Sequence, residues 1–454
     1  VFTFPDHFVK VAVLEFCELP PVHAMVNISL LKRRLHAGCR VTETTFLNQK
    51  AVIMENSLIY LVFLPELGAR IIDMGMQADR ENYLYVNREL VSSYSYSEAW
   101  QDLGGWEDNL GGWCGPLWNK RYSYKIIKNE PDKSVVLFST LEYSPMEFKK
   151  RISIQKNSSQ VGILTTIRNL TKKSSKIRMG IHPEFGVGGK ADIYDQFFWR
   201  KEVGEFEYHA YANAGTVFDV GSYSGIVGIT DCRSLHSILL EFKQPASINF
   251  FQGAEYYNLE LSALSEKLDP GRSGSFQYNL YFFHGVDSPN LFQSGILGKI
   301  SVSRKFVKRN EDVVLSVSIV SASPFSGELC LKQENKVIKL KKCRLLPLHC
   351  YKEKLTWNSG ELTDGKYNFN FTLTDKRGAI KVTKEFQIIV IEKKYREMQN
   401  VVSVLEKKLN SAVKTASGKE QSKLIRAFFY LEKAKSAAEK ANEKVFAEFI
   451  AKTK

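Results

Sequence analysis

His182 and Glu184 stand two positions apart in the segment Met179-Gly180-Ile181-His182-Pro183-Glu184-Phe185. In an extended chain, residues i and i+2 share a face, so this spacing presents an imidazole beside a carboxylate. Groups of these two types exchange protons near neutral pH and suit general acid–base work. Pro183 has no N–H to give to a ladder, which predicts a strand end or edge opening onto a cleft. The structural alternative is a histidine held by a neighbouring acid at a strand terminus.

A second concentration of chemistry lies between Trp100 and Trp118, where four Trp and five Gly fall within 19 residues. It contains Gly104-Gly105-Trp106-Glu107-Asp108-Asn109 and Gly111-Gly112-Trp113. Glycines let a backbone turn sharply or approach a ligand closely. Indole faces stack on the apolar faces of sugar rings or fill a loop's own small core. Trp106 and Trp113 as stacking groups, with Glu107 and Asp108 accepting hydroxyl hydrogen bonds, describe a ligand cleft. A self-packed loop is the other reading.

The elements that must position these residues are strands. Arg40–Phe46, Ala51–Met54 and Leu58–Phe63 are short β-branched and aromatic runs between polar turns, and Pro65–Ile72 turns into another. Ser134–Glu142, Glu147–Gln155, Gln160–Asn169 and Ser175–Gly180 read as an antiparallel meander that delivers His182 at its end. Further strands are expected at Ile226–Ile229, Ser237–Phe242, Ile248–Phe251, Tyr256–Ala263 and Ser275–His284. Helical patterns are nearly absent over this stretch, so residues 40–294 predict one large antiparallel sandwich. Residues 299–392, with about seven short strands, predict an immunoglobulin- or fibronectin-like sandwich. Residues 393–454 switch to helical period, with Val401, Val402, Leu405 and Leu409 on one face and Leu424, Phe428 and Leu431 on another, which predicts a helical hairpin. Residues 1–39 stay unassigned beyond a short helix at Ala24–Leu35.

Composition narrows the function classes. The chain has 454 residues, 44% hydrophobic, with 63 Lys and Arg against 49 Asp and Glu and a formal net charge of +14. The basic residues are spread along strands and the helical tail, with no arginine-rich arm, zinc-finger spacing or aromatic RNA-binding signature, so nucleic acid is not the expected partner. Attraction to acidic polymers or an anionic surface is compatible with the charge. Seven cysteines without a CxxC pair signal neither a zinc site nor a disulfide framework, although Cys343 and Cys350 are close enough in sequence to bridge. No apolar run approaches about 20 residues, so no transmembrane segment is expected. Residues 8–31 are interrupted by Glu15, Glu18 and two prolines and do not read as a clean signal peptide.

Four features in order make segment 40–290 resemble the galactose mutarotase-like supersandwich of aldose 1-epimerases. They are the Pro65–Ile72 turn; Phe148-Lys149-Lys150-Arg151-Ile152; Thr165-Thr166-Ile167-Arg168-Asn169 followed by the Gly-x-His-Pro strand end; and Asn258-Leu259-Glu260-Leu261 before Leu268-Asp269-Pro270-Gly271. The resemblance implies a sugar site on the concave face of the large sheet. It also implies that His182 matches the acid donating to the ring oxygen and Glu260 the base taking the anomeric hydroxyl proton. Arg70 belongs to the matching turn and stands between a substrate-binding and a fold-serving role. The chain departs from the family in lacking the earlier His and Asn-Arg pair and the Asn-His-x-Tyr-Phe-Asn form around the second His.

The expectation is therefore a mainly β carbohydrate-binding protein with catalytic candidates His182 and Glu260 and substrate-binding candidates Trp106, Glu107, Asp108, Trp113, Glu184 and Arg70. A noncatalytic glycan-binding or polysaccharide-processing accessory protein is the alternative. No cofactor and no metal are called for; His182, Glu184 and an acid of the Trp block form a chemically permissible cation set that no ligand spacing demands. Surface or self-association through the helical tail is the other partner expectation. The appended sandwich leans toward an extracytoplasmic location, and the unpaired-looking cysteines lean the other way.

Overall fold

The computed structural model describes residues 38–95, 101–110, 115–143, 145–202, 204–210, 214–263, 266–307, 310–334, 336–360, 362–390 and 393–413, with the positions 424, 427, 429–431 and 433–435. The predicted helix at Ala24–Leu35, the Trp113 candidate and most of the second tail helix lie outside them.

The chain is mainly β and its sheets are largely antiparallel. The strands are β1 (Arg40–Phe46), β2 (Gln49–Glu55), β3 (Ile59–Leu64), β4 (Arg70–Met76), β5 (Trp106–Leu110), β6 (Ser123–Glu130), β7 (Lys133–Thr140), β8 (Met146–Gln155), β9 (Gln160–Asn169), β10 (Ser175–Ile177), β11 (Met179–Phe185), β12 (Asp195–Lys201), β13 (Glu207–Ala210), β14 (Val217–Asp231), β15 (His236–Gln252), β16 (Tyr257–Ala263), β17 (Glu266–Leu268) and β18 (Ser273–His284). One hydrogen-bonded path runs β1-β2-β3-β4-β5-β11-β16-β15-β18-β9-β8-β7-β6. The expected meander holds for β7, β8 and β9, and β9 spans the residues its pattern predicts; the fourth expected run, Ser175–Gly180, is instead split between β10, which pairs with β17, and β11, which lies between β5 and β16. The two short runs expected at Ser237–Phe242 and Ile248–Phe251 are one continuous strand.

The chain divides into two compact units. Among the described residues, the first comprises those up to 195, 210–226 and 240–282; the second comprises 196–209, 227–239 and those from 283 onward. In the first unit the strands differ in how their faces are covered. β8 and β9 alternate buried with partly exposed residues, as a sheet with one wet face does. β3, β4, β5 and β11 are buried at every position. A polar side chain on these strands must therefore find its partners inside the protein. An apolar cluster that includes Tyr60, Val62, Leu64, Ile72, Leu103 and Trp118 anchors the β2–β4 side.

Pro183 corrects the sequence expectation of a strand end or edge. It lies within β11, which is flanked by β5 on one side and β16 on the other. The β11–β16 ladder pairs Gly180 and Ile181, then resumes at Glu184 and Phe185. The proline occupies the interruption, where no ladder donor is required.

The second unit has its own core. It contains a four-stranded sheet, β19 (Leu291–Gln293), β20 (Ile296–Val302), β22 (Asp312–Ser321) and β25 (Tyr351–Asn358). A five-stranded one combines β21 (Phe306–Val307), β23 (Phe325–Gln333), β24 (Lys336–Leu345), β26 (Gly365–Asp375) and β27 (Ile380–Val390). Val317, Ile319, Leu345, Phe371 and Leu373 are among the residues packed in the shared core. The bridge between Cys343 and Cys350 that their spacing left open is not formed, and burial pushes the Cys343 thiol up to about 11. A helix at Lys393–Val413 follows, and Lys435 meets Glu406 at 2.8 Å. Among the described residues no helix is long and apolar enough to cross a membrane.

Candidate functional site

The site grows from the register of β5, β11 and β16. His182 pairs with Glu107 across β5, and Pro183 with Trp106. On the other side Gly180 faces Ser262 and Glu184 faces Asn258, which sets His182 opposite Glu260. Side chains alternate along a strand, so Glu107, His182 and Glu260 form one row on one face, with Glu184 and Asn258 in the next.

Two glycines make room behind this row. Gly104 and Gly105 have φ of +70° and +83°, in the left-handed region. A Cβ on Gly105 would stand 2.6 Å from the Ile71 carbonyl and against the Arg70 stem. Arg70 threads past, donates to the Gly104 carbonyl and donates to Glu107 Oε2. The other oxygen, Glu107 Oε1, lies 3.1 Å from His182 Nδ1. The carboxylate therefore accepts from the guanidinium on one side and from imidazole N–H on the other. Burial works to raise the Glu107 carboxyl, yet the Arg70 charge and the His182 and Arg70 hydrogen bonds outweigh it and hold it below its ordinary range.

The second ring nitrogen of His182, Nε2, meets the amide of Asn258. With Nδ1–H donated to Glu107, Nε2 accepts from that amide. A half-turn of Asn258 would present its oxygen to an Nε2–H, so one side chain suits the neutral and the protonated ring. Arg70, Glu107, His182 and Asn258 are each at least 96% buried and form a continuous chain of contacts.

Glu260 is half-buried. Burial raises its carboxyl, while His182 and Arg178 pull it down and Glu107 opposes them, with a net upward shift. Arg178 is anchored to Ser247 Oγ at 2.7 Å. The Glu184 carboxyl is raised to about 9, first by burial and then by the neighbouring Asp102 carboxylate. Beside it the rings of Tyr85 and Tyr256 stack with centroids 4.9 Å apart.

The structure thus brings together Arg70, Glu107, His182, Glu184 and Glu260. Trp106 and Asp108 fall on the opposite face, against the sequence expectation that they line the cleft, because residues one apart in a strand point opposite ways. Trp106 is fully buried, stacked on Tyr278 at 6.2 Å and edge-on to Phe185 at 5.9 Å. Asp108 pairs with the fully buried Lys150 at 2.8 Å. The predicted partnership of His182 with Glu184 also changes, since Glu107 is the acid that orients the ring. Asn258, Asp102, Tyr85 and Tyr256 are additions that no local pattern marks. Asn258 lies on the strand that carries Glu260, within Asn258-Leu259-Glu260-Leu261, and Tyr256 immediately precedes that strand, which is the one available signal.

A cavity of about 200 Å³ lies elsewhere in this unit, lined by Ile167, Met179, Pro245, Ala263 and Leu268 among others. Its lining is mostly apolar and shares no residue with the polar row. Among the described residues, no group of three His, Cys, Asp or Glu side chains is arranged to hold a metal ion.

No protein-family model matches the chain, and no curated protein does. Solved structures of similar outline include a TPR-domain containing protein from Parabacteroides distasonis, 12% identical over 53% of this chain and 48% of its own, with a TM-score of 0.44. This chain thus spans about half of that protein's length. A galactose mutarotase-like protein from Clostridium acetobutylicum is 12% identical over 55% of this chain and 100% of its own, with a TM-score of 0.41. A galactose mutarotase related enzyme from Lactobacillus acidophilus is 11% identical over 52% and 98%, with a TM-score of 0.38. At these identities the likeness is one of fold.

Proposed function

We propose that the chain is a carbohydrate-binding protein of the galactose mutarotase-like type, holding a saccharide over the face of β5, β11 and β16. On this reading its anomeric centre is worked on by acid–base chemistry, with Glu260 as base and an acid from the face it shares with His182, the residue to which the sequence resemblance gives that role. The observation that carries it is the row in which Glu260 stands across from His182, with Glu107 and Arg70 behind the ring. A base and an acid on one face of adjacent strands are within reach of one small sugar. Had the two side chains emerged on opposite faces, the pair would have no common substrate.

The chemistry of such a pair is ring opening. Glu260 takes the anomeric hydroxyl proton, the bond from C1 to the ring oxygen breaks, and the ring oxygen receives a proton. Reclosure on the other carbonyl face exchanges the anomers. The raised Glu260 carboxyl makes a stronger base than an exposed glutamate.

Noncatalytic glycan binding is favoured by one specific observation: both ring nitrogens of His182 meet protein groups. Polarimetry or NMR of freshly dissolved α-glucose and α-galactose separates the two. Anomer exchange faster than buffer that stops in Glu260→Gln supports catalysis. Exchange at the buffer rate with glycan binding retained leaves a binding protein. No retained sugar or glycan removes both.

A further inference from the structure

We propose that Glu184, buried beside Asp102 and flanked by the stacked Tyr85 and Tyr256 rings, is the group that donates a proton to the ring oxygen of a bound neutral pyranose, with His182 a positioning residue. This rests on the reading that the face takes a sugar, and it assigns the acid differently from the sequence resemblance.

Three observations lead to it. First, His182 has no nitrogen left to offer, since Nδ1 is held by Glu107 and Nε2 by Asn258. Second, Glu184 Oε2 and Asp102 Oδ1 are buried and meet no N–H or O–H donor. Two neighbouring buried carboxyl groups that meet no other donor favour a proton shared between them. Burial of Glu184 and the neighbouring Asp102 and Glu107 carboxylates favour that proton, and the Arg70 charge, held on Glu107, opposes it without outweighing them. Third, Asn258, which faces Glu184 across the ladder, is 4% exposed and keeps an amide oxygen without a donor. An unpartnered buried acceptor beside an acid invites a ligand hydroxyl.

The geometry suits one ring. Glu184 lies diagonally from Glu260 across adjacent strands, a separation of about 7–8 Å between Cα atoms. The side chains can approach a pyranose from two sides. Tyr85 and Tyr256 are partly exposed and provide an aromatic surface beside Glu184. The step balances. The C1–O5 bond breaks with its electron pair going to O5, O5 takes the Glu184 proton, Glu260 takes the O1 proton, and C1=O1 forms. Closure returns both protons, and no oxidant or cofactor is consumed. Asp102 stabilises the proton on Glu184 before transfer and becomes the near neighbour of a transient anion after it, so the pair resets on closure.

The experiment uses the full chain with 13C-labelled glutamate carboxyls, glucose and galactose as probes, and the isosteric variants Glu184→Gln and His182→Gln. In the wild type, the Glu184 carboxyl should read as protonated at pH 7 and shift on sugar addition. Glu184→Gln should keep sugar affinity within about threefold and lose anomer exchange by about 100-fold or more. His182→Gln should lose less and keep the alkaline limb of the pH profile that Glu184 sets. An ionised Glu184 at pH 7, or exchange in Glu184→Gln within about threefold of wild type, overturns the proposal. Sugar bound by the wild type without shifting Glu184 overturns it while leaving the binding reading intact. No sugar bound by the wild type overturns the binding reading and this assignment together.

Discussion

Glu107 and Asp108 are neighbours in sequence, both 1% exposed, and each ion-paired with a buried cation, yet their carboxyls are driven in opposite directions. Burial raises Asp108 and Lys150 does not fully offset it; at Glu107, Arg70 and His182 together do. The difference is the number of donors. Asp108 stands among tyrosines, Tyr122 and Tyr278, whose hydroxyls are pushed upward first by burial and then by its charge. Glu107 has a guanidinium on one oxygen and an imidazole on the other. The two faces of β5 therefore hold one acid for packing and one for orienting a ring, and strand alternation alone sorts them.

That comparison can be broken most forcefully on the core face. Asp108→Leu should destabilise the protein by about 3–5 kcal/mol in urea unfolding, because it leaves Lys150 charged and buried. Adding Lys150→Met should recover most of that loss, since an apolar pair can replace a buried ion pair. The corresponding exchange on the site face, Arg70→Met with Glu107→Leu, should not restore sugar exchange even if it restores stability, because His182 loses its orienting acid. Full activity in that double variant would erase the distinction between the faces.

The next effect is a pH slope. Glu184 has a folded value near 9 against 4.5 unfolded, so between those limits the folded state holds the extra proton. Stability is then fully present below about pH 4.5 and falls as pH rises toward 9, by up to about 1.4 kcal/mol per unit from this group. Asp108 and Glu260 slope the same way, and Glu107, held low, contributes only by losing stability at acid pH. Glu184→Gln should flatten the alkaline decline measured by thermal unfolding from pH 5 to 9. An unchanged slope would mean that Glu184 is ionised at neutral pH.

The smallest stability effect belongs to the residue with the largest chemical role. Glu260 is only half-buried, and Glu260→Gln should change unfolding free energy by no more than about 0.5 kcal/mol while removing sugar exchange. A large loss of stability would recast Glu260 as a structural acid.

Much of this was legible from local pattern. Alternation marked β7 to β9, and the i, i+2 spacing put His182 and Glu184 on one face. The Gly-Trp block read as a ligand cleft or a self-packed loop, and neither reading contains β5; once it is a strand, only one of Glu107 and Asp108 can join His182. Register is what local pattern lacks. Glu107 and Asn258 meet His182 from 75 and 76 positions away, and the ladder that pairs them is set by the whole sheet. Pro183 misled for the same reason, because a gap in the β11–β16 ladder is invisible until both strands are placed.

The most direct test is anomer exchange of α-galactose and α-glucose followed by NMR with wild type and Glu260→Gln, alongside a glycan array. The account predicts binding by both proteins and exchange above the buffer rate by the wild type alone. Exchange at the buffer rate with no glycan retained would contradict it.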